Sequence, residues 1–115
     1  MGYFNTIWQG DANAMILRAF DHVGAPPWVV NVTGPETLSV RAVCERLGRL
    51  MERPVRFAGS ESESALLSDA RRGFDKLGPP RVSTERLTEW VADWVGRGGR
   101  SLGEPTHFES REGTF

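Results

Sequence analysis

Apolar positions along the chain alternate between short mixed runs and longer stretches at helical spacing. The opening Y-F-N-T-I-W mixes aromatic and β-branched residues, as strands do, and predicts a first strand. Asp11 then stands as the cap of a helix carrying Ile16, Leu17, Phe20 and Val23 on one side, stopped by Gly24 and the pair Pro26-Pro27. Trp28 to Val32 reads as a second short apolar strand. A helix follows with Ser39 as N-cap, Leu38 and Val43 as a hydrophobic staple, and an apolar stripe of Val40, Val43, Cys44, Leu47, Leu50 and Met51.

Pro54 ends that helix, and V-R-F-A-G, 55–59, alternates as a third strand would before the exposed serine and glutamate run Ser60 to Ser64. A weaker helix carries Leu66, Leu67, Ala70, Phe74 and Leu77 and is interrupted by Gly73. Ser83, bracketed by Val82 and Leu87, caps a last helix whose stripe of Leu87, Trp90, Val91, Trp94 and Val95 must be buried, which makes Trp90 and Trp94 core residues. From Gly96 on the periodicity is lost. The order strand, helix, strand, helix, strand, helix, helix predicts a small, helix-rich α/β domain with about three short strands and four helices over 1–95, then a Gly-rich, charged tail over 96–115.

Size and charge narrow the functions open to such a chain. At 115 residues it fits one small domain that would bury roughly two-thirds of the surface of its unfolded chain. Fourteen basic against 15 acidic residues leave a net charge of −1, too little to draw nucleic acid or an anionic membrane. No signal-peptide pattern and no apolar run of about eighteen residues occurs, and the single cysteine, Cys44, reads as a buried thiol in a reducing compartment. A cytoplasmic protein is expected, with no membrane and no nucleic-acid partner. The sequon Asn31-Val32-Thr33 overlaps the second strand and reads as strand sequence.

Catalytic motifs fail on their context. Gly99 to Gly103 satisfies G-x-S-x-G, but a nucleophile elbow needs a strand before the serine and a helix after it, and here a helix precedes and Glu104-Pro105 follows. Glu104 and His107 lie too near in sequence to complete a triad from separate loops. His22, His107 and Cys44 have no ligand spacing, so no metal site is expected. The turn Thr33-Gly34-Pro35-Glu36, between strand and helix, suggests a phosphate cradle. Yet it holds one glycine, Pro35 removes a donor and Glu36 adds negative charge, so a plain corner is the better reading.

Taken together, I-W-Q-G-D-A-N-A-M-I-L-R-A-F, the run from V-V-N-V-T-G-P to R-P-V-R-F, and L-L-S-D-A-R-R-G-F to E-W-V-A-D-W-V resemble the C-terminal part of NAD-dependent epimerase/dehydratase proteins, the extended short-chain dehydrogenase/reductases. The likeness spans about residues 5 to 95. In that family a strand ending in Asp leads into a helix, matching Trp8 to Asp11, and a strand with a glycine turn matches Val30 to Gly34. An Asp-x-Ser-Lys-Ala segment before Leu-Gly-Trp-x-Pro is similar to Asp69 to Arg72 and Leu77 to Pro80.

The resemblance implies a parent enzyme with a Rossmann domain that binds NAD or NADP and a smaller substrate domain, of which these residues match the second. The family's Tyr-x-x-x-Lys dyad has no counterpart, because the sole tyrosine, Tyr3, has Ile7 four residues on and the sole lysine is Lys76. No glycine fingerprint is present either. No catalytic or cofactor-binding residue is therefore expected in this chain, and activity alone is not.

The family's two diphosphate-clamping arginines are replaced by Phe4 and by the Gly59 to Ser64 region, which favours a carbonyl or hydroxyl substrate other than a nucleotide sugar. Asn5, Trp8 and Gln9 are the expected substrate-pocket residues, since relatives turn the end of that strand toward the cleft. The alternative function is a stand-alone binding or assembly module that pairs with itself or with a Rossmann-domain partner.

Overall fold

A computed structural model describes residues 2–105. It is a small α/β fold with, among the described residues, four α-helices and one two-stranded antiparallel sheet. In chain order these are β1 (Tyr3–Phe4), α1 (Gln9–Ala19), β2 (Leu38–Ser39), α2 (Val40–Leu50), α3 (Arg71–Leu77) and α4 (Thr84–Gly96), with a single 3₁₀ turn at Phe20–His22 after α1. The chain divides into two compact units. One comprises 2–4, Leu38–Leu66 and 88–105, and the other Asn5–Thr37 and Leu67–Leu87.

In the first unit the sheet is a minimal ladder, pairing Tyr3 with Ser39 and Phe4 with Leu38. The carbonyl of Gly2 accepts the N–H of Val40 at 3.0 Å, so β2 passes directly into α2. Ser39 is the cap its sequence context predicts: its Oγ accepts the N–H of Ala42 at 3.3 Å and satisfies one of the first-turn donors.

The third predicted strand does not form. After α2 the chain turns back on the helix, with the N–H of Arg53 donating to the carbonyl of buried Gly48 at 2.9 Å. Phe57 lies beneath the Arg41 guanidinium, 4.3 Å from the ring centroid, and Arg41 also pairs with Glu61 at 2.8 Å. A cation over an aromatic face gives V-R-F-A-G a helix side to rest on in place of a neighbouring strand. Cys44, expected to be buried, is only half-buried on α2.

The core of the second unit is formed where α1 meets α3. Met15 and Leu77 are 1% and 2% exposed, and Ala70 is buried with them. Arg18 Nη1 donates to the Leu77 carbonyl at 2.7 Å, closing the C-terminus of α3 with a cation where the helix dipole is negative. The chain leaves α3 at Gly78, whose φ of 78° is the left-handed conformation that glycine reaches without strain.

Trp28 to Val32, predicted as a strand, pairs with no strand among the described residues. It crosses α3, where the Asn31 carbonyl would stand 3.0 Å from a Cβ at Gly73, and Asn31 Nδ2 donates to the Asp69 carbonyl at 3.1 Å. Gly73, which the sequence marks as a flaw in the helix, is the point of close approach. Trp28 meets His22 edge to face at 5.5 Å. α3 is also shorter than its apolar spacing suggests, and Leu66 and Leu67 lie outside it, exposed.

Asp11 is not the cap of its own helix. α1 begins at Gln9, after Trp8, and Asp11 sits in the first turn with only 5% exposure. Its Oδ2 accepts the backbone N–H groups of Arg81 at 3.0 Å and Val82 at 2.9 Å. One residue later Ser83 Oγ accepts the N–H of Arg86 at 3.3 Å and caps α4, as its sequence context predicts.

Further along α4 the apolar stripe departs from expectation. Trp90 and Trp94 are 42% and 52% exposed, and Val91 and Val95 are comparably open. The indole N–H of Trp94 donates to the Arg100 carbonyl at 3.2 Å. The periodicity identified the helix correctly but not what covers its face, because burial depends on a second surface that spacing cannot specify. The same holds on α1 and the turn after it, where Ile16, Leu17 and Phe20 are open to solvent.

Replacing Asp11 with Ala leaves two part-buried N–H groups without their acceptor and should cost about 1–3 kcal/mol. The urea midpoint should fall, and the amide protons of Arg81 and Val82 should lose protection from exchange. Asp11→Asn keeps an acceptor oxygen and should lose less. Unchanged exchange at residues 81 and 82 in Asp11→Ala would contradict this role.

Candidate functional site

Two of the three residues expected to line a pocket, Asn5 and Trp8, border clefts beside the turn at Thr33 to Glu36. Gly34 is buried, and a Cβ there would lie 2.0 Å from the carbonyl oxygen of Thr6. Backbone against backbone leaves no room for a side chain. Glu36, two residues on, accepts a hydrogen bond from the Thr84 hydroxyl. The Thr33 to Glu36 stretch is thus a packed corner whose carboxylate rests at the start of α4.

Gly34 and Pro35 form a wall shared by two clefts. The larger, about 490 Å³, is lined by Asn5, Thr37, Ser68, Asp69, Arg71 and Phe74. The smaller, about 210 Å³, has Trp8, Glu36, Pro80, Arg81 and Ser83 on its walls. Asn5 and Trp8 therefore border different clefts on either side of one turn. Gln9 is exposed at the first position of α1 and lines neither.

Asn5 is engaged at both ends of its amide. Nδ2 donates to the Ser68 carbonyl at 2.7 Å, and Oδ1 accepts the Ser68 N–H at 3.4 Å, so the side chain pairs with the backbone as a neighbouring strand would. Together with Asn31 on the Asp69 carbonyl, two asparagines hold the segment entering α3. Trp8 turns its ring back over Gly10, where a Cβ would lie 2.3 Å from the indole. Packing against the helix start thus accounts for much of its position.

Asp69 and Arg71 form the most polarised pair at the larger cleft. Arg71 grips both carboxylate oxygens, with Nη2 at 2.6 Å from Oδ2 and Nε at 3.0 Å from each, and its own backbone N–H adds a bond of 3.0 Å to Oδ1. The side-chain hydrogen bonds from Arg71, then its backbone N–H, hold the Asp69 carboxyl below its ordinary 3.8, at about 2. Such a carboxylate is ionised throughout the neutral range and is a weak proton acceptor, so it shapes the turn into α3 rather than moving protons. What the cleft offers a small molecule is hydrogen bonding from hydroxyl, amide and guanidinium groups beside the Phe74 ring.

A third cleft, about 640 Å³, lies in the other unit between the end of α2 and the C-terminal half of α4. Its charges are of both signs and are paired in part, Arg97 with Asp93 at 2.6 Å, in solvent-exposed contacts of small energetic weight. None of the residues predicted to bind substrate borders it. Ser101 Oγ accepts the Gly103 N–H at 3.2 Å and closes a local turn, while His107 lies outside the described residues. Among the described residues no three His, Cys, Asp or Glu side chains group as metal ligands, and no helix is long and apolar enough to cross a membrane.

The sequence reading missed the two asparagine clamps and the double acceptor at Asp11. Asn5 and Ser68 are 63 positions apart, and Asp11 and Arg81 are 70 apart, so no local pattern could pair them. The Asp69-x-Arg71 turn did carry a local signal, because an aspartate just before a helix commonly accepts an N–H two residues on. No known protein family, no curated protein and no solved structure matches the chain.

Asp69 should titrate near pH 2 when followed by carboxyl ¹³C NMR, and Arg71→Gln, which removes the guanidinium but keeps the backbone N–H bond, should raise the midpoint part of the way toward 3.8. Because the folded value is the lower one, the pairing supports the fold above pH 3.8 and loses that support as pH falls through about 2. A wild-type midpoint near 3.8 would contradict the pairing. Gly34→Ala, which drives a methyl group into the Thr6 carbonyl, should destabilise the chain by about 1–3 kcal/mol, read as a fall in thermal midpoint. An unchanged midpoint would mean the corner is looser than its geometry.

Proposed function

We propose that this chain is the C-terminal, substrate-domain portion of an NAD(P)-dependent epimerase/dehydratase or reductase-like enzyme, and that alone it neither holds a nicotinamide cofactor nor transfers hydride. The order and spacing of motifs from Asn5 to Val95 suggest the family. Within these 115 residues neither a glycine fingerprint nor a Tyr-x-x-x-Lys dyad occurs, and hydride chemistry in this family needs both. NAD or NADP, and the groups that act on substrate with it, would come from the Rossmann domain of the parent.

The observation that carries this reading is the apolar stripe of α1 and the turn after it. Leu17 on α1 and Phe20 in the turn after it are each 68% exposed, and Val23, the extended residue just beyond that turn, is 77% exposed. A finished domain hides a stripe of this kind, whereas part of a larger α/β enzyme would leave it for the rest of the enzyme to cover. Asn5 and Trp8, at the two clefts beside Gly34, are the residues we assign to the substrate side, and Gln9 next to them faces solvent. The larger cleft sets Thr37, Ser68 and Arg71 beside apolar Leu67 and Phe74, a mixed lining that suits a small carbonyl or hydroxyl compound.

The exposed Trp90, Val91, Trp94 and Val95 on α4 favour a second reading, a cytoplasmic assembly module that pairs with itself or with a separate Rossmann-domain protein. The coding DNA upstream of Met1 separates the two. An in-frame G-x-x-G-x-x-G followed by Tyr-x-x-x-Lys supports the first reading, and a stop codon with a promoter supports the second. Titration of the purified chain with NAD and with NADP, followed by calorimetry, should show no saturable binding. Tight, saturable binding of either dinucleotide would overturn the proposal.

A further inference from the structure

We draw no further inference here: the strongest candidate, the apolar face that α1 and the turn after it present through Ile16, Leu17, Phe20 and Val23, is an unpartnered surface patch already used in the proposal above, and nothing in the structure shows what covers it.

Discussion

One carboxyl oxygen, Oδ2 of Asp11, accepts the backbone N–H groups of Arg81 and Val82, and the second unit depends on that junction. Burying a carboxyl group is costly unless its oxygens find donors, and two adjacent main-chain N–H groups meet the need without a counter-charge. The contact fixes the start of α1 against the segment leading to Ser83. The Ser83 cap, and with it the first turn of α4, is set one residue beyond the groups that Asp11 holds. The Arg18 bond to the Leu77 carbonyl does the corresponding work farther along α1. Both are side-chain to backbone bonds, and between them they bind α1 to the chain on either side of Gly78.

The same substitution of side-chain bonds for strand pairing recurs throughout the second unit. Asn5 pairs with Ser68 through its amide, and Asn31 reaches the Asp69 carbonyl. Each satisfies backbone groups of the segment that enters α3, where no neighbouring strand does so. In the first unit the Arg41 cation over Phe57 plays a comparable part. The clefts beside Gly34 follow from this arrangement, since their walls are the segments the asparagines and the corner hold in place.

Local features were legible in the sequence and distant ones were not. Ser39 and Ser83 announced themselves because a cap acts over three residues, and all four helices were marked by their apolar spacing. Strand character in Trp28 to Val32 and in V-R-F-A-G misled, because β-branched and aromatic composition reports fitness for a pleated surface without supplying the partner strand. Local context ties Asp11 to the nearest helix start, whereas its donors lie 70 and 71 positions away. Periodicity alone puts Trp90 and Trp94 on a stripe without showing what covers it, and both are exposed. Of the three residues expected from the sequence to line a pocket, Asn5 and Trp8 border clefts, but their hydrogen bonds and packing have no local signal.

These exposed helix stripes tie the physical account to the functional one. A chain that forms α1 and α4 with open apolar faces should associate in solution unless a larger body covers them. Sedimentation velocity of the purified chain across a hundredfold range of concentration tests this most directly. The account predicts a sedimentation coefficient that rises with concentration, together with a thermal midpoint that depends on it. A concentration-independent monomer that melts in one sharp transition would contradict it.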